Sequence, residues 1–163
     1  MSFLNGFDIS GYGLSAQRFR INLISSNIAN ANTTRTDEGG PYRRREVIFK
    51  AVDFSDLLSR QMRQNGYLED ENPIDDPAAE PFAKPPLMSV RVDKVIRDDS
   101  PFKLRFDPTN PDADENGYVA LPNVNPVIEM ADLIEATRAY QANVAAYQST
   151  KTMAQSSIDL LKG

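Results

Sequence analysis

The side chains of this sequence that could do chemistry are mainly carboxylates, because its 163 residues contain no Cys and no His. Thiolate nucleophiles, imidazole bases and the usual zinc ligands are therefore excluded together. Two clusters of Asp and Glu remain, at 69–76 and at 112–117. The chemistry they could support is glycoside hydrolysis at the first cluster and calcium binding at the second.

The segment DADENG (112–117) matches the first half of a calcium-binding loop, whose pattern is D-x-D-x-N-G. The twelfth position of such a loop should be Glu, but here it is Asn123, and no helical pattern flanks the segment. We therefore interpret the segment as an acidic hairpin turn, with Asn116-Gly117 as its turn signal, and expect no metal site.

The other cluster lies in NGYLEDENPIDDPAAEPFAKPP (65–86), which contains five prolines. A glycosidase needs two carboxyl groups held at a fixed separation with different pKa values. A Pro-rich acidic loop does not provide that, so the sequence predicts no catalytic residue, no cofactor and no enzyme activity. A peptidoglycan-cleaving enzyme is the rival interpretation, and it requires turnover that single carboxylate substitutions abolish. The carboxylates it would use are Glu69, Asp70, Glu71, Asp75 and Asp76.

Proline placement divides the chain into elements. All eleven prolines lie between Pro41 and Pro126, and the interior of a long helix cannot tolerate them. The sequence therefore predicts an α+β fold, with an N-terminal helix in residues 1–32 and a C-terminal helix in residues 125–163. A small β-rich middle region, 33–124, should carry a flexible acidic loop at about 65–86.

Apolar residues recur at alternating steps of three and four in both terminal segments. This near-heptad spacing predicts an antiparallel, coiled-coil-like helix pair. Glycines weaken the first helix, so it should need its partner. A helix as long as the second one cannot bury its whole stripe in so small a body, so the surplus should meet the N-terminal helix, other subunits, or both. The predicted packing stripe comprises Phe3, Phe7, Leu14, Ile21, Ile24, Ile28, Leu133, Val144, Tyr147, Ile158 and Leu161.

The middle region contains four segments with the composition or alternation of strands and one short helical segment. For Arg43, Arg44 and Arg45 two interpretations stay open: contact with an acidic partner, or an exposed strand edge kept soluble by charge. The predicted strands are 42–52, 88–96, 102–106 and 118–121, and the short helix is 53–63.

A dense run of Asn and Thr, SSNIANANTT (25–34), follows the first apolar stripe. Asn and Thr side chains compete for backbone hydrogen bonds and favour caps and turns. We interpret the run as a joint between the first helix and the middle region. At the start of the second helix, Asn125 should be the N-cap and Pro126 should occupy the first turn.

Charge and hydropathy limit location and partners. The net charge of −5 argues against a nucleic-acid partner, which needs clustered Lys and Arg. The first residues lack the basic and apolar regions of a cleavable signal peptide. No apolar run approaches the roughly 18 residues of a membrane span, so we expect none.

Several of these segments resemble the flagellar basal-body rod proteins, in particular their short proximal-rod members. The resemblance rests on the Asn-rich run, on EGGPYRRREVIF (38–49), on NGYVALPNVNPVIEM (116–130) and on ATRAYQANVAAYQSTKTM (136–153). Many axial relatives continue the Asn-rich motif as T-P-G-Y, whereas this chain has TTRT at 33–36. The residues that match the family motifs are Asn27, Ala29, Asn30, Asn32, Thr33, Asn123, Val124, Pro126, Glu129, Met130, Tyr140, Gln141 and Asn143.

The resemblance implies a structural protein that polymerises into a hollow helical drive shaft, which transmits torque from rotor to hook and passes exported subunits. The implied partners are other copies of the chain, other rod proteins and the flagellar type III export apparatus. The implied location is the periplasmic rod, reached without a cleavable signal. The alternatives are another axial rod or hook-type subunit, or an acidic soluble adaptor acting through the 65–86 loop.

Overall fold

The proline-free ends of the chain form long helices, and the proline-containing part between them forms strands and turns. The computed structural model describes residues 3–53, 64–66 and 88–162. Within those residues, helix α1 spans Phe3–Ala29 and helix α2 spans Pro126–Lys162. The strands are β1 (Arg45–Asp53), β2 (Met88–Arg97), β3 (Lys103–Phe106) and β4 (Tyr118–Leu121). The predicted α+β fold, with a small antiparallel β region between two terminal helices, is confirmed.

The two helices run antiparallel in one continuous register. On α1 the contacting positions recur every seven residues, and their partners on α2 fall by six to eight residues at each step. This is the spacing at which one face of a helix stays against its neighbour. The contacting pairs are Gly6 with Thr150, Gly13 with Asn143, Arg20 with Glu135 and Asn27 with Glu129.

On α1 each contacting position lies one residue before a member of the predicted packing stripe, and on α2 Asn143 lies one residue before Val144. Small or polar residues occupy the closest approach, and Ala16, Ala136 and Ile24 are only 3%, 0% and 6% exposed. Apart from Ile24, the larger apolar side chains of the stripe flank the seam, because two helices can approach closely only where their side chains are small. Of the predicted stripe, Ile24 is buried, and Tyr147 and Ile158 are 39% and 51% exposed. The half-buried members are Phe7, Leu14, Ile21, Ile28, Leu133 and Val144.

One aromatic contact joins the two helices near the start of α1. Phe7 meets Tyr147 edge to face, with ring centroids 5.0 Å apart. The side chains of Phe3 and Leu161, also assigned to the stripe, lie outside the described part of the chain.

The strands form two separate antiparallel pairs in the described residues. Strand β1 pairs with β2 from Arg45↔Arg97 to Asp53↔Met88, with a bulge between Ile48 and Phe49. Strand β3 pairs with β4 from Lys103↔Leu121 to Phe106↔Tyr118. The four predicted strands are therefore confirmed within a few residues. The predicted helix at 53–63 and the acidic loop at 65–86 lie almost wholly outside the described residues.

Besides Ala16, Ile24 and Ala136 in the helix pair, the buried apolar residues of the described chain lie where the helices meet the strands. Val119 of β4 is 0% exposed, Val124 before α2 is 3% and Tyr42 before β1 is 6%. Two-stranded sheets have little stability of their own, so these strands depend on packing against the helices. The junction between helices and strands therefore holds the fold together.

Two glycines of α1 provide a test of the seam. A Cβ at Gly13 would lie 3.0 Å from Asn143 Nδ2, whereas a Cβ at Gly11 would meet nothing within 4 Å. Gly11→Ala should stabilise the helix by about 1 kcal/mol, because Ala is the better helix former. Gly13→Ala should gain clearly less, since Asn143 must move aside. Urea denaturation followed by circular dichroism would measure both, and equal stabilisation by the two substitutions would contradict the proposed seam.

Candidate functional site

A buried asparagine at the end of α1 uses its full hydrogen-bonding capacity. Asn27 is 1% exposed, and its Nδ2 donates to Arg45 O at 2.9 Å and to Glu129 Oε2 at 3.0 Å. Its Oδ1 accepts from the Tyr42 hydroxyl at 2.9 Å and from the Arg45 amide at 3.1 Å. A side-chain amide has two donor hydrogens and two acceptor lone pairs, so Asn27 is saturated. One side chain thereby links α1, α2 and the start of β1.

A buried carboxylate on the first turn of α2 is the other half of this junction. Glu129 is 1% exposed, and its Oε1 accepts from Arg44 Nε at 2.5 Å. The Arg44 guanidinium also lies 3.7 Å from Asp132 Oδ2 and 4.0 Å from Asp98 Oδ2, and it pairs with Glu46. A buried carboxylate is tolerated only when a charge and hydrogen bonds compensate it. Arg44 and Asn27 supply that compensation to Glu129.

Asn123 holds the backbone of this region together. Its Oδ1 accepts from the Arg44 amide at 2.8 Å, and its Nδ2 donates to Asp98 O at 3.0 Å. The Asp98 carboxylate accepts from the hydroxyl and the amide of Ser100, and these bonds hold the pKa of Asp98 below its usual value. The chain before α2 is thereby tied to the ends of β1 and β2.

Local sequence explains why these side chains converge. Side chains alternate along an extended chain, so Arg44 reaches Glu129 on α2 while Arg43 and Arg45 lie over the rings of Phe102 and Tyr42. Neither interpretation of the arginine run therefore holds for Arg44, whose partners lie within the chain. At the start of α2, Asn125 Oδ1 accepts from the Val127 amide at 3.1 Å, which confirms the predicted N-cap. The cap determines where the first turn of α2 begins, and that turn contains Glu129.

The Asn-rich run turns the chain after α1. Asn30 Nδ2 donates to Ser26 O at 2.9 Å and its Oδ1 accepts from the Thr33 hydroxyl at 3.3 Å. The carbonyl of Thr33 accepts from the Tyr42 amide at 3.1 Å. These bonds satisfy backbone groups that the end of a helix leaves free. The turn places Tyr42 next to Asn27, to which the Tyr42 hydroxyl donates.

The remaining motif residues lie outside this junction. Val124 is buried in the core, and its carbonyl lies 3.4 Å from Lys103 Nζ. Met130 is 53% exposed, and Asn143 lies against Gly13 in the seam. Tyr140 is half buried, and the exposed members are Ala29, Asn32, Pro126 and Gln141. The structure thus joins Asn27, Asn123 and Glu129 of the predicted set in one network.

Sequence reasoning missed Tyr42 and Arg44 as members of the network. If the side-chain alternation of a strand is extended through YRRREV, Arg44 falls on the opposite face from Arg43 and Arg45. Nothing in the sequence identifies Glu129 as its partner, since the two residues are 85 positions apart.

The junction has the properties of a structural site. The Glu129 carboxylate is matched by the Arg44 guanidinium and the Asn27 amide, and Glu46 and Asp132 lie within 4.0 Å of Arg44. In the part of the chain that the structure describes, no group of three or more His, Cys, Asp or Glu residues is placed to hold a metal ion. The acidic segment at 112–117 forms a turn, in which Asp114 Oδ1 accepts from the amides of Asn116 and Tyr118. No helix in the described residues is both long and apolar enough for a membrane span.

Comparison with known proteins decides the family. Residues 7–35 match the family model for the flagella basal body rod protein, and residues 115–160 match that for the C-terminal part of the flagellar basal body rod FlgEFG proteins. The chain is 39% identical to the flagellar basal-body rod protein FlgC of Borreliella burgdorferi, over 100% of both chains. It is 38% identical to FlgC of Bacillus subtilis over 99% of this chain and 100% of the relative.

The chain belongs to the FlgC family of flagellar basal-body rod proteins. It is also 36% identical to FlgC of Salmonella typhimurium, over 94% of this chain and 93% of that one. The predicted structural role in the basal-body rod is therefore confirmed. The relatives are structural rod proteins, which is consistent with a chain that is not an enzyme.

The two matched segments carry the two halves of the junction. Asn27 lies in the N-terminal match and Glu129 in the C-terminal match, whereas Tyr42 and Arg44 lie between them. In this FlgC-family chain, the strand region thus connects the two segments that the rod families share.

Substitution of Asn27 should test whether the junction supports the fold. Asn27→Ala removes four hydrogen bonds and leaves the buried Glu129 without one of its two compensating partners, so it should cost about 3 kcal/mol or more. Asn32→Ala, at an exposed position, should change stability by less than about 0.5 kcal/mol. Denaturation of both variants checks this, and a neutral Asn27→Ala would contradict it.

Asn27→Asp adds a pH dependence with a defined sign. Two adjacent carboxylates raise each other's pKa in the folded state, so the folded state binds more protons than the unfolded state. The destabilisation should therefore be greatest at about pH 8 and should decrease as the pH falls toward about pH 5. Denaturation of this variant across that pH range provides the measurement, and a destabilisation that grows as the pH falls would contradict the expected sign.

Proposed function

We propose that this chain is a subunit of the proximal rod that polymerises into a hollow helical drive shaft. The observation that carries this proposal is the exposure of large apolar side chains on the outer face of α2. Val127, Met130 and Ile134 are 75%, 53% and 55% exposed, at spacings of three and four residues. Such a stripe faces away from α1, and contiguous exposed apolar surface is typical of interaction sites.

A subunit of this kind can form a tube if its contacts are heterologous. Contacts between different faces of identical subunits give an open helical assembly when the rotation does not close a ring. The exposed stripe on α2 and the α1–α2 seam lie on different faces, so each helix pair can pack against neighbours while remaining paired itself. Many such helices in parallel would transmit torque from rotor to hook and leave a channel for exported subunits.

The folding properties of the chain support export in an unfolded form. Helix α1 contains Gly6, Gly11 and Gly13, each of which weakens an isolated helix by about 1 kcal/mol relative to Ala. The core described above is small, so much of the helical stability must come from packing. The chain would then pass through the flagellar type III export apparatus and fold as it joins other rod proteins in the periplasm. The family-motif residues outside the junction, such as Met130 and Gln141, would contact neighbours.

Complementation of a strain that lacks the gene tests this proposal. The wild-type gene should restore swimming, whereas Ile134→Ser should weaken subunit association by about tenfold, which corresponds to about 1.4 kcal/mol. The physical reason is that burial of an Ile side chain contributes about 1.5–3 kcal/mol. Motility assays, together with electron microscopy of isolated basal bodies, would provide the measurement.

Arg138→Ser is the matched control, because Arg138 is the next exposed position on the same face of α2. It should complement nearly as well as the wild type. Normal motility in the deletion strain itself would overturn the rod assignment.

A further inference from the structure

A recess of about 410 Å³ lies between α1 and β2, and its lining combines apolar side chains with two arginines. Large apolar side chains at its edge remain open to solvent, since Phe19 and Val90 are each 41% exposed. Surface of this kind is typical of an interaction site. The residues that define its chemistry are Tyr12, Phe19, Val90 and Val92, together with Arg18 and Arg91.

The two arginines of the recess lack a counter-charge in the part of the chain that the structure describes. Neither Arg18 nor Arg91 makes an ion pair within 4.0 Å, and no Asp or Glu lines the recess. The carboxylates of α1 and β2 are Asp8 and Asp93, and both lie outside the lining. Lys50 lies directly opposite Arg91 in the β1–β2 ladder, an arrangement of like charges that is unfavourable. The recess therefore favours an occupant that is both apolar and acidic.

The β3–β4 hairpin presents an apolar face that no other element of the described chain covers. Leu104 and Phe106 share this face with Ala120 and Tyr118, their register partners on β4. Leu104 and Phe106 are 69% and 64% exposed, and the rings of Phe106 and Tyr118 meet edge to face with centroids 5.3 Å apart. Val119, on the opposite face, is buried in the core. The hairpin thus packs inward through one face and leaves the other open.

The turn that joins β3 to β4 is acidic. It carries Asp112, Asp114 and Glu115, and residues 106–137 contain no Lys or Arg. Among the described residues, none of these three carboxylates makes an ion pair within 4.0 Å. Asp112 accepts from the Thr34 hydroxyl at 2.7 Å, which ties the tip of the hairpin to the loop after α1. The hairpin therefore has the apolar and acidic character that the recess favours.

The place of the hairpin in its own chain keeps it away from its own recess. Thr34 holds the tip beyond the end of α1 at Ala29, whereas Phe19 of the recess lies about 15 Å earlier along that helix, at 1.5 Å per residue. Burial of Val119 fixes the base of the hairpin at the junction of helices and strands. A contact between hairpin and recess must therefore join two chains that are displaced along the helix axis.

We propose that the recess binds the β3–β4 hairpin of a second copy of this chain. The proposal rests on the proposed function, because it names one of the heterologous contacts between neighbouring subunits. The exposed face of the hairpin would cover Phe19 and Val90, and the carboxylates of its tip would accept hydrogen bonds from Arg18 and Arg91. Two different patches meet in this contact, so its repetition builds an open assembly when the rotation does not close a ring.

Cysteine crosslinking between two full-length variants tests the proposal. Asn22→Cys places a thiol at the recess, Asn116→Cys places one at the tip of the hairpin, and the chain has no Cys of its own. An affinity tag on one variant gives the mixed dimer its own size. Under mild oxidation this dimer should form about tenfold faster than one from Asn116→Cys and Ala142→Cys, an exposed control position on α2, because binding raises the effective concentration of the thiols. Equal rates would overturn the proposal.

A charge swap in the same assay separates a specific contact from chance collision. Glu115→Lys in the hairpin variant should slow formation of the mixed dimer about tenfold, since like charges then meet. Adding Arg18→Glu to the recess variant should restore most of the rate. Asp159→Lys, an exposed change on α2, is the matched control and should have no effect.

Circular dichroism should show that all of these variants retain their helices. A rate that does not respond to Glu115→Lys, or that Arg18→Glu fails to restore, would contradict the proposed contact. Such a result leaves the rod assignment intact, because that assignment is tested by motility of the complemented deletion strain.

Discussion

The structure depends on one electrostatic constraint, which is that the buried carboxylate of Glu129 must be compensated. Removing one partner of a buried ion pair typically costs about 3–5 kcal/mol, because the other charge is left without solvent or a counter-charge. Arg44 reaches Glu129 only when β1 begins in its observed position, and Asn27 reaches it only when α1 pairs with α2 in the observed register. Compensation of this charge therefore couples the helix pair to the strand region.

This coupling explains how so small a core can hold an elongated subunit. Apolar burial alone specifies register weakly where small residues line the seam, since a shift by one heptad would place similar residues together. A single polar residue at a core position is a well-attested means of fixing register. We infer this role for Asn27, because its four hydrogen bonds join α1 to α2 and to the residues at the start of β1. The outer apolar faces remain free for contacts with neighbours.

The sequence predicted the elements well and their contacts less well. Proline placement located both helices, and Asn125 identified where α2 begins, because both effects are local. On α1 the contacts of Gly6, Gly13 and Asn27 lie one residue before apolar positions of the predicted stripe, because counting apolar residues does not find contacts made by small and polar residues. The family motifs included Asn27, Asn123 and Glu129 but not Arg44. Its pairing with Glu129 spans 85 positions, so only the folded chain reveals it.

Cysteine crosslinking in assembled rods would test the central claim that the buried junction fixes the helix register. The chain has no Cys of its own, so introduced pairs report without background. Gly6→Cys with Thr150→Cys should crosslink within one chain, since a Cβ at Gly6 would lie 3.2 Å from Thr150 Cγ2. The pair Gly6→Cys with Asn143→Cys should not crosslink, because position 143 lies one heptad away from Thr150. Adding Asn27→Ala should lower the first yield. Equal yields from the two pairs, or a yield indifferent to Asn27→Ala, would contradict the account.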